Sequence, residues 1–266
     1  MNWNTANNPF SPPCIPPENY RRAVKIILVG LLVCTSLPSC DRVSSGPKGD
    51  DSGESVASEG MDEENLAKAI VDELEKRWRE NQEGLNNKAK AITNAKQSYL
   101  AMRAFHSQYG EFPSDVTRNL LEDEGEEVPI GDSANDYLAQ LLISKFLDSE
   151  KSFYTKGVKG AREGDDVFNT RDRILEKGEN GFAYIKNKSQ TSAPFRLPLL
   201  LAPMTGKGLK FDPKPFGGEA VVLHIDGSVK CYPIDGNGDI VMPDGRGFWA
   251  RWVTGGFNED DLVFPK

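Results

Sequence analysis

The sequence predicts an α+β domain in which a long N-terminal amphipathic helix packs on a small antiparallel sheet. Three observations carry this. Apolar residues recur at spacings of three and four between Leu66 and Tyr109. Beyond residue 150 that period gives way to short apolar runs broken by Gly, Asp and Pro. The helical half precedes the stranded half instead of alternating with it, which separates an α+β arrangement from a chain of βαβ units.

Ahead of the domain, residues 1–39 read as an N-terminal extension followed by an export signal. Arg21, Arg22 and Lys25 form a cationic segment, and Ile26 to Leu37 is an apolar run. A membrane-spanning helix needs about 20 apolar residues, so this run is short for a permanent anchor and suits a signal peptide. It ends in Leu37-Pro38-Ser39-Cys40, which resembles a bacterial lipobox. The resemblance implies cleavage between Ser39 and Cys40 and diacylglycerol and acyl chains, palmitate among them, on Cys40. It would tether the chain to a membrane on the extracytoplasmic side of the cell envelope. Residues 40–60 are dominated by Ser, Gly, Asp and Glu, the composition of a solvated tether. The folded domain is assigned to residues 61–266.

Asp62, Glu63 and Glu64 load the first turn of a helix, where acid is favourable at the positive end of the dipole. Leu66, Ile70, Leu74 and Trp78 then recur every four residues, and after Gly84 the stripe resumes with Leu85, Ile92, Ala95, Tyr99, Met102, Phe105 and Tyr109. The pattern predicts two helices, or one long helix weakened around Asn81–Gly84, stopped by Gly110 and Pro113. The side carrying Leu85, Ile92, Tyr99, Met102 and Phe105 is expected to dock on the sheet containing Val221–Ile225, with Lys88, Lys96, Gln97 and Arg103 outside it. A second helix is expected over Ala134–Phe146, capped by Ser133. Glu122–Glu127 between them reads as a solvated acidic loop.

Strands are expected at Phe182–Ile185, Leu197–Ala202, Ala220–Ile225 and Val229–Pro233, with Asp226-Gly227 turning the last two into a hairpin. Phe248, Trp249, Trp252, Phe257 and Phe264 close the chain as an aromatic cover for the sheet.

Composition narrows the function. The 266 residues carry 32 Lys and Arg against 40 Asp and Glu, a formal charge of −8. A phosphate-backbone binder needs surplus cations, so no nucleic-acid partner is expected. Two His and four Cys leave little for a zinc site or a disulfide scaffold. Cys14 and Cys34 leave with the signal, Cys40 carries lipid, and Cys231 reads as inert strand core. His106 and His224 read as packed residues, and no Gly-x-Ser-x-Gly is present.

No cofactor is expected apart from calcium, for which Asp235, Asn237 and Asp239 are the candidate ligands. They have the spacing of positions 1, 3 and 5 of a calcium loop, but Ile240 and Arg246 stand where its Gly and Glu belong. A hairpin turn uses the same residues without metal. Asp165-Asp166 is a separate acidic pair.

Ile92 to Ser114, ending in Tyr109-Gly-Glu-Phe-Pro113, resembles the major pseudopilin of type II secretion and its relatives. Ala220-Val-Val-Leu-His-Ile-Asp-Gly-Ser-Val229 resembles the Leu-x-x-Asp-Gly-Ser-Val strand pair of the large prepilin-like families, although the His of their longer signature falls on Phe216. The resemblance spans residues 85–233 and implies a pilin-like fold. The prepilin cleavage site and the apolar helix behind it, which build filaments, have no match here. The combined expectation is a non-enzymatic, membrane-anchored envelope lipoprotein with protein partners, linked to type II secretion or pilus-like machinery. A secreted glycan-binding module using Trp249 and Trp252, and an envelope hydrolase using a histidine, are the competing readings.

Overall fold

The computed structural model describes residues 63–168, 170–188, 196–253 and 257–266. The signal, Ser39, Cys40 and the tether lie outside the described residues. The chain divides into two compact units, Met1–Arg77 and Trp78–Lys266.

Helix α1 spans Glu63–Tyr109 without interruption, so Asn81–Gly84 does not break it. Gly84 is there for space. A Cβ at this position would stand 2.8 Å from the backbone nitrogen of Gly217 and 3.1 Å from its Cα. A close approach of two backbones explains the glycine better than helix weakness does. Within the first unit, Leu66, Ile70 and Leu74 are 45%, 44% and 36% exposed, and Arg77 pairs with Glu73 one turn back at 2.9 Å.

Within the second unit, Ala91, Ala95, Tyr99, Met102 and Phe105 are buried in the single apolar core, whereas Leu85 is exposed. The helix turns Leu85 away because the close approach at Gly84 places that side of the turn against Gly217. Two contacts align α1 with the sheet: Lys88 pairs with Glu219 and the Tyr99 hydroxyl donates to the Ile225 carbonyl at 2.8 Å. The helical span between the anchors is about 17 Å and the extended span between their partners about 20 Å. α1 therefore runs alongside that strand in the same direction. Lys88, expected outside the contact, is one of its anchors. Phe105 sits further on, with Tyr109 and Phe146 at ring distances of 4.6 and 5.9 Å. Lys96, Gln97 and Arg103 are exposed as expected.

Helix α2, Asp115–Asp123, takes in the start of the expected acidic loop and is opened by a capping box between Ser114 and Thr117. Helix α3, Ala134–Ile143, is capped by Ser133 with Asp136 answering it, and ends before Phe146. The Thr117 hydroxyl donates to Gln140 Oε1 at 2.6 Å, tying the two short helices together.

The sheet holds β1 (Ala183–Ile185), β2 (Pro198–Ala202), β3 (Glu219–His224), β4 (Val229–Pro233) and β5 (Leu262–Val263). Its order is β4-β3-β2-β1-β5, and every neighbouring pair is antiparallel. All five residues of β2 are buried, as a central strand covered on both faces requires. Asp226-Gly227 turns β3 into β4, with the Gly227 N–H donating to the His224 carbonyl at 2.8 Å. Helix α4, Phe248–Val253, packs Phe248 and Trp252 against the β3–β4 hairpin, where Tyr232 and His224 meet them edge-on or tilted.

Candidate functional site

Among the described residues, three acidic side chains come together in the chain between α3 and β1, where three loop segments converge. Glu150 opens a single turn of 3-10 helix, Glu150–Ser152. Asp165 follows Gly164, at which a Cβ would come within 2.5 Å of the Glu150 Cβ. Only glycine lets the second segment pass so near the first. Glu179 closes a turn after Glu176 by accepting the Glu176 N–H at 2.6 Å. One carboxylate oxygen from each of Glu150, Asp165 and Glu179 lies within 4.8 Å of the other two.

Glu150 and Glu179 are fully buried. Glu150 accepts from the backbone N–H of Leu175 at 2.8 Å and of Asp166 at 3.0 Å. Asp165 accepts from the Val167 N–H at 2.9 Å and from Arg173 Nη2 at 2.7 Å. Around them, Asp166 takes Lys151 at 2.7 Å, and Arg162 is held by the Glu176 carboxylate and, at 3.0 Å, the Lys177 carbonyl. Burial pushes the carboxyl groups of both Glu150 and Glu179 above their usual range; backbone donors oppose this, and the charge of Glu179 adds to the rise at Glu150. Burial also opposes ionisation of Asp166, but its bonds from Lys151, Ser149 and the Glu150 N–H prevail and hold it low.

Of this cluster the sequence discloses only the adjacent Asp165-Asp166. Glu150 and Glu179 stand at no ligand spacing from them, and both lie in polar turns that give no sign of burial.

The other expected site residues are placed as follows. Asp235 Oδ1 accepts from the N–H groups of Asn237 and Asp239 at 2.8 and 2.9 Å, and the Asp239 carboxylate pairs with Lys210 at 2.6 Å. That is an Asx-type turn in which the carboxylates already have partners. His224 is buried, its Nδ1 2.6 Å from the Arg196 carbonyl and its Nε2 3.3 Å from the Tyr232 hydroxyl; burial lowers its pKa despite the Arg196 contact. His106 packs on Phe112, its Nε2 buried with no hydrogen bond, and burial followed by Arg103 lowers its pKa. Neither ring is within hydrogen-bond reach of a serine, cysteine or carboxylate among these contacts. Trp252 is 6% exposed, while Trp249 stacks on Phe211 and donates its N–H to the Leu209 carbonyl at 2.9 Å. These indoles are part of the packing. Cys231, read as core, is exposed on strand β4, because that strand is the sheet edge and none of its residues is fully buried. Desolvation and then Glu219 push its thiol up, away from thiolate reactivity.

No helix among the described residues is long and apolar enough to cross a membrane. What the fold and these clusters define is an α+β protein with a long helix ahead of an antiparallel five-stranded sheet. No family model, curated protein or solved structure matches the chain.

Proposed function

We propose that this chain is a non-enzymatic envelope lipoprotein, tethered through Cys40, whose pilin-like domain serves a structural or interaction role. The observation that carries the reading is the sequence Leu37-Pro38-Ser39-Cys40 directly after a cationic and apolar segment and before a polar tether. The arrangement of one long helix alongside an antiparallel hairpin, with the Asp226-Gly227 turn beside Tyr99, fits the pseudopilin-like resemblance. Leu66, Ile70 and Leu74 at four-residue spacing, each at least 36% exposed, favour a protein partner over a purely solvated spacer. Partners in type II secretion or pilus-like machinery follow from the resemblance and are part of the same proposal.

Mass spectrometry of the mature N-terminus tests the tether. A lipid-modified Cys40 as the first residue is expected, and Cys40→Ala should leave an unprocessed precursor. An unmodified Cys40 inside an intact peptide from residues 1–60 would remove the lipoprotein reading. Photo-crosslinking from Ile70 in intact cells tests the interaction role, with a discrete envelope adduct expected.

A further inference from the structure

We infer that the depression between the loop joining α2 to α3 and residues 171–177 binds a small zwitterion, a free amino acid or short peptide that offers an ammonium, a carboxylate and an apolar side chain. The depression encloses about 550 Å³, within the range of about 300–1,000 Å³ usual for small-molecule sites. None of Glu150, Asp165 and Glu179 lines it, so it is separate from the acidic cluster. It does not depend on the envelope reading.

Its apolar wall is Pro129, Ile130, Ile174 and Leu175. Ile174 and Leu175 are buried and give the wall a fixed base. Ile130 is the opposite: at 75% exposed, it is the most exposed large apolar side chain among the described residues. An isoleucine on the rim of a depression leaves water only when something enters, and that burial favours an apolar ligand.

Six charged side chains complete the lining, and four of them, Asp136, Arg171, Glu176 and Lys266, are already engaged. Lys266 pairs with Asp136. Arg171 donates to the Val128 carbonyl and meets Glu122 at 3.5 Å. Glu176 is held by Arg162 and, at 3.5 Å, by Arg173. That leaves Asp172 and Lys177, both exposed, and neither side chain has a hydrogen bond or ion pair among the described residues.

One unpaired anion and one unpaired cation beside an apolar wall select a ligand with the converse pair of charges. An inorganic anion is repelled by Asp172 and a simple cation by Lys177, whereas a zwitterion satisfies both. Capture of a peptide's charged ends is a recurring recognition mode. The carbonyls of Ile130 and Ile174 accept no hydrogen bond among the described residues, so they remain available to ligand N–H groups.

Isothermal titration calorimetry of the full chain in detergent tests the inference. The probes are leucine and the tripeptide Ala-Leu-Ala, each also in N-acetylated and C-amidated form. Saturable binding of leucine or of the tripeptide is expected, and their relative affinities tell an amino-acid site from a peptide site. Blocking either end should weaken binding by about fivefold or more, the size of one charge-assisted contact. Asp172→Asn should weaken the free ligand by a similar factor and leave the acetylated form unchanged. Lys177→Gln should do the same with respect to the amidated form. Both positions are exposed, so neither change should move the urea midpoint appreciably. The inference fails if neither free ligand approaches saturation by about 10 mM, or if the blocked forms bind as tightly as the free ones. It fails equally if either substitution weakens free and blocked forms alike.

Discussion

Residues 66–74 and residues 91–105 of α1 carry the same apolar spacing, yet Leu66, Ile70 and Leu74 are exposed whereas Ala91, Ala95, Tyr99, Met102 and Phe105 are buried. Helical periodicity specifies a face; it does not specify what covers that face. In the later stretch the cover is made of residues that lie far along the chain: β3, the hairpin turn and the segment around Phe146. Specific bonds reinforce that docking. Asn94 Nδ2 donates to the Tyr154 carbonyl at 2.7 Å, Ser98 Oγ to the Ser152 carbonyl at 3.2 Å, and Tyr99 to Ile225. A docked helix face thus announces itself by small and polar residues between the large ones, Ala91, Asn94, Ala95 and Ser98. The earlier stretch has small residues too, Ala67 and Ala69, but no asparagine or serine between Leu66 and Leu74 to bond a neighbouring backbone.

The sharpest way to break this contrast is Phe105→Ala. Phe105 is wholly buried against Tyr109 and Phe146, and truncating a core Phe costs roughly 3–5 kcal/mol. Chemical denaturation should show a loss of that size. A loss below about 1 kcal/mol, the level of an ordinary surface change, would mean that the second half of α1 is no better packed than the first.

Gly84→Ala comes next. Alanine is better than glycine in a helix by about 1 kcal/mol, so a helix in free solution would gain from the change. Here the new Cβ would press on the Gly217 backbone at 2.8 Å, and backbone cannot swing aside as a side chain does. Overpacking of this kind costs about 1–3 kcal/mol, so a net destabilisation is expected in a urea titration. A stabilised Gly84→Ala protein would show that α1 does not approach Gly217.

The position of Gly84 also marks where sequence reasoning stops. Its role depends on Gly217, which no local pattern links to it, so a glycine within a helical stripe read as a weakness. The hairpin was legible because Asp-Gly between two apolar runs is a local signal, and the α3 cap because Ser133 begins an apolar stripe. Helix α2 was missed because its capping box uses Thr117 where Glu or Gln is usual. β5 has two residues and no period to detect. The acidic cluster shares the fate of Gly84: it is assembled from three segments, and only the Asp165-Asp166 corner lies together in the sequence.

The pH dependence should sharpen a second contrast, between two buried carboxylates whose pKa values move in opposite directions. Burial works against ionisation of Asp136, but Lys266 and Ser133 outweigh it and lower its pKa below 3.8. Its stabilising contribution is present above that ordinary value and is lost as pH falls through the lower, folded one. Glu179 has the opposite sign. Burial raises its pKa above 4.5, so its contribution is full below that value and is lost as pH rises through the raised one. Glu179→Gln should therefore gain on the parent as pH is raised from 4.5, read from urea midpoints at each pH. A constant difference across that range would mean that Glu179 titrates normally.

The smallest effect is expected at Ile70→Ala, and its smallness is the point. Ile70 is 44% exposed and lies between Leu66 and Leu74, one helical turn to either side. Shortening a side chain that the fold leaves in solvent changes stability by no more than about 0.5 kcal/mol, and the higher helix propensity of alanine offsets part of even that. Lys96→Ala, on the exposed side of the docked stretch, should behave alike under denaturation. The two should separate only in an association assay: Ile70→Ala should weaken crosslinking to an envelope partner, and Lys96→Ala should not. If Ile70→Ala instead costs about 2 kcal/mol or more in the isolated chain, as burial of an isoleucine would require, then residues 66–74 are covered within the chain itself. The contrast between the two halves of α1 would then disappear, and with it the structural support for a partner on that face.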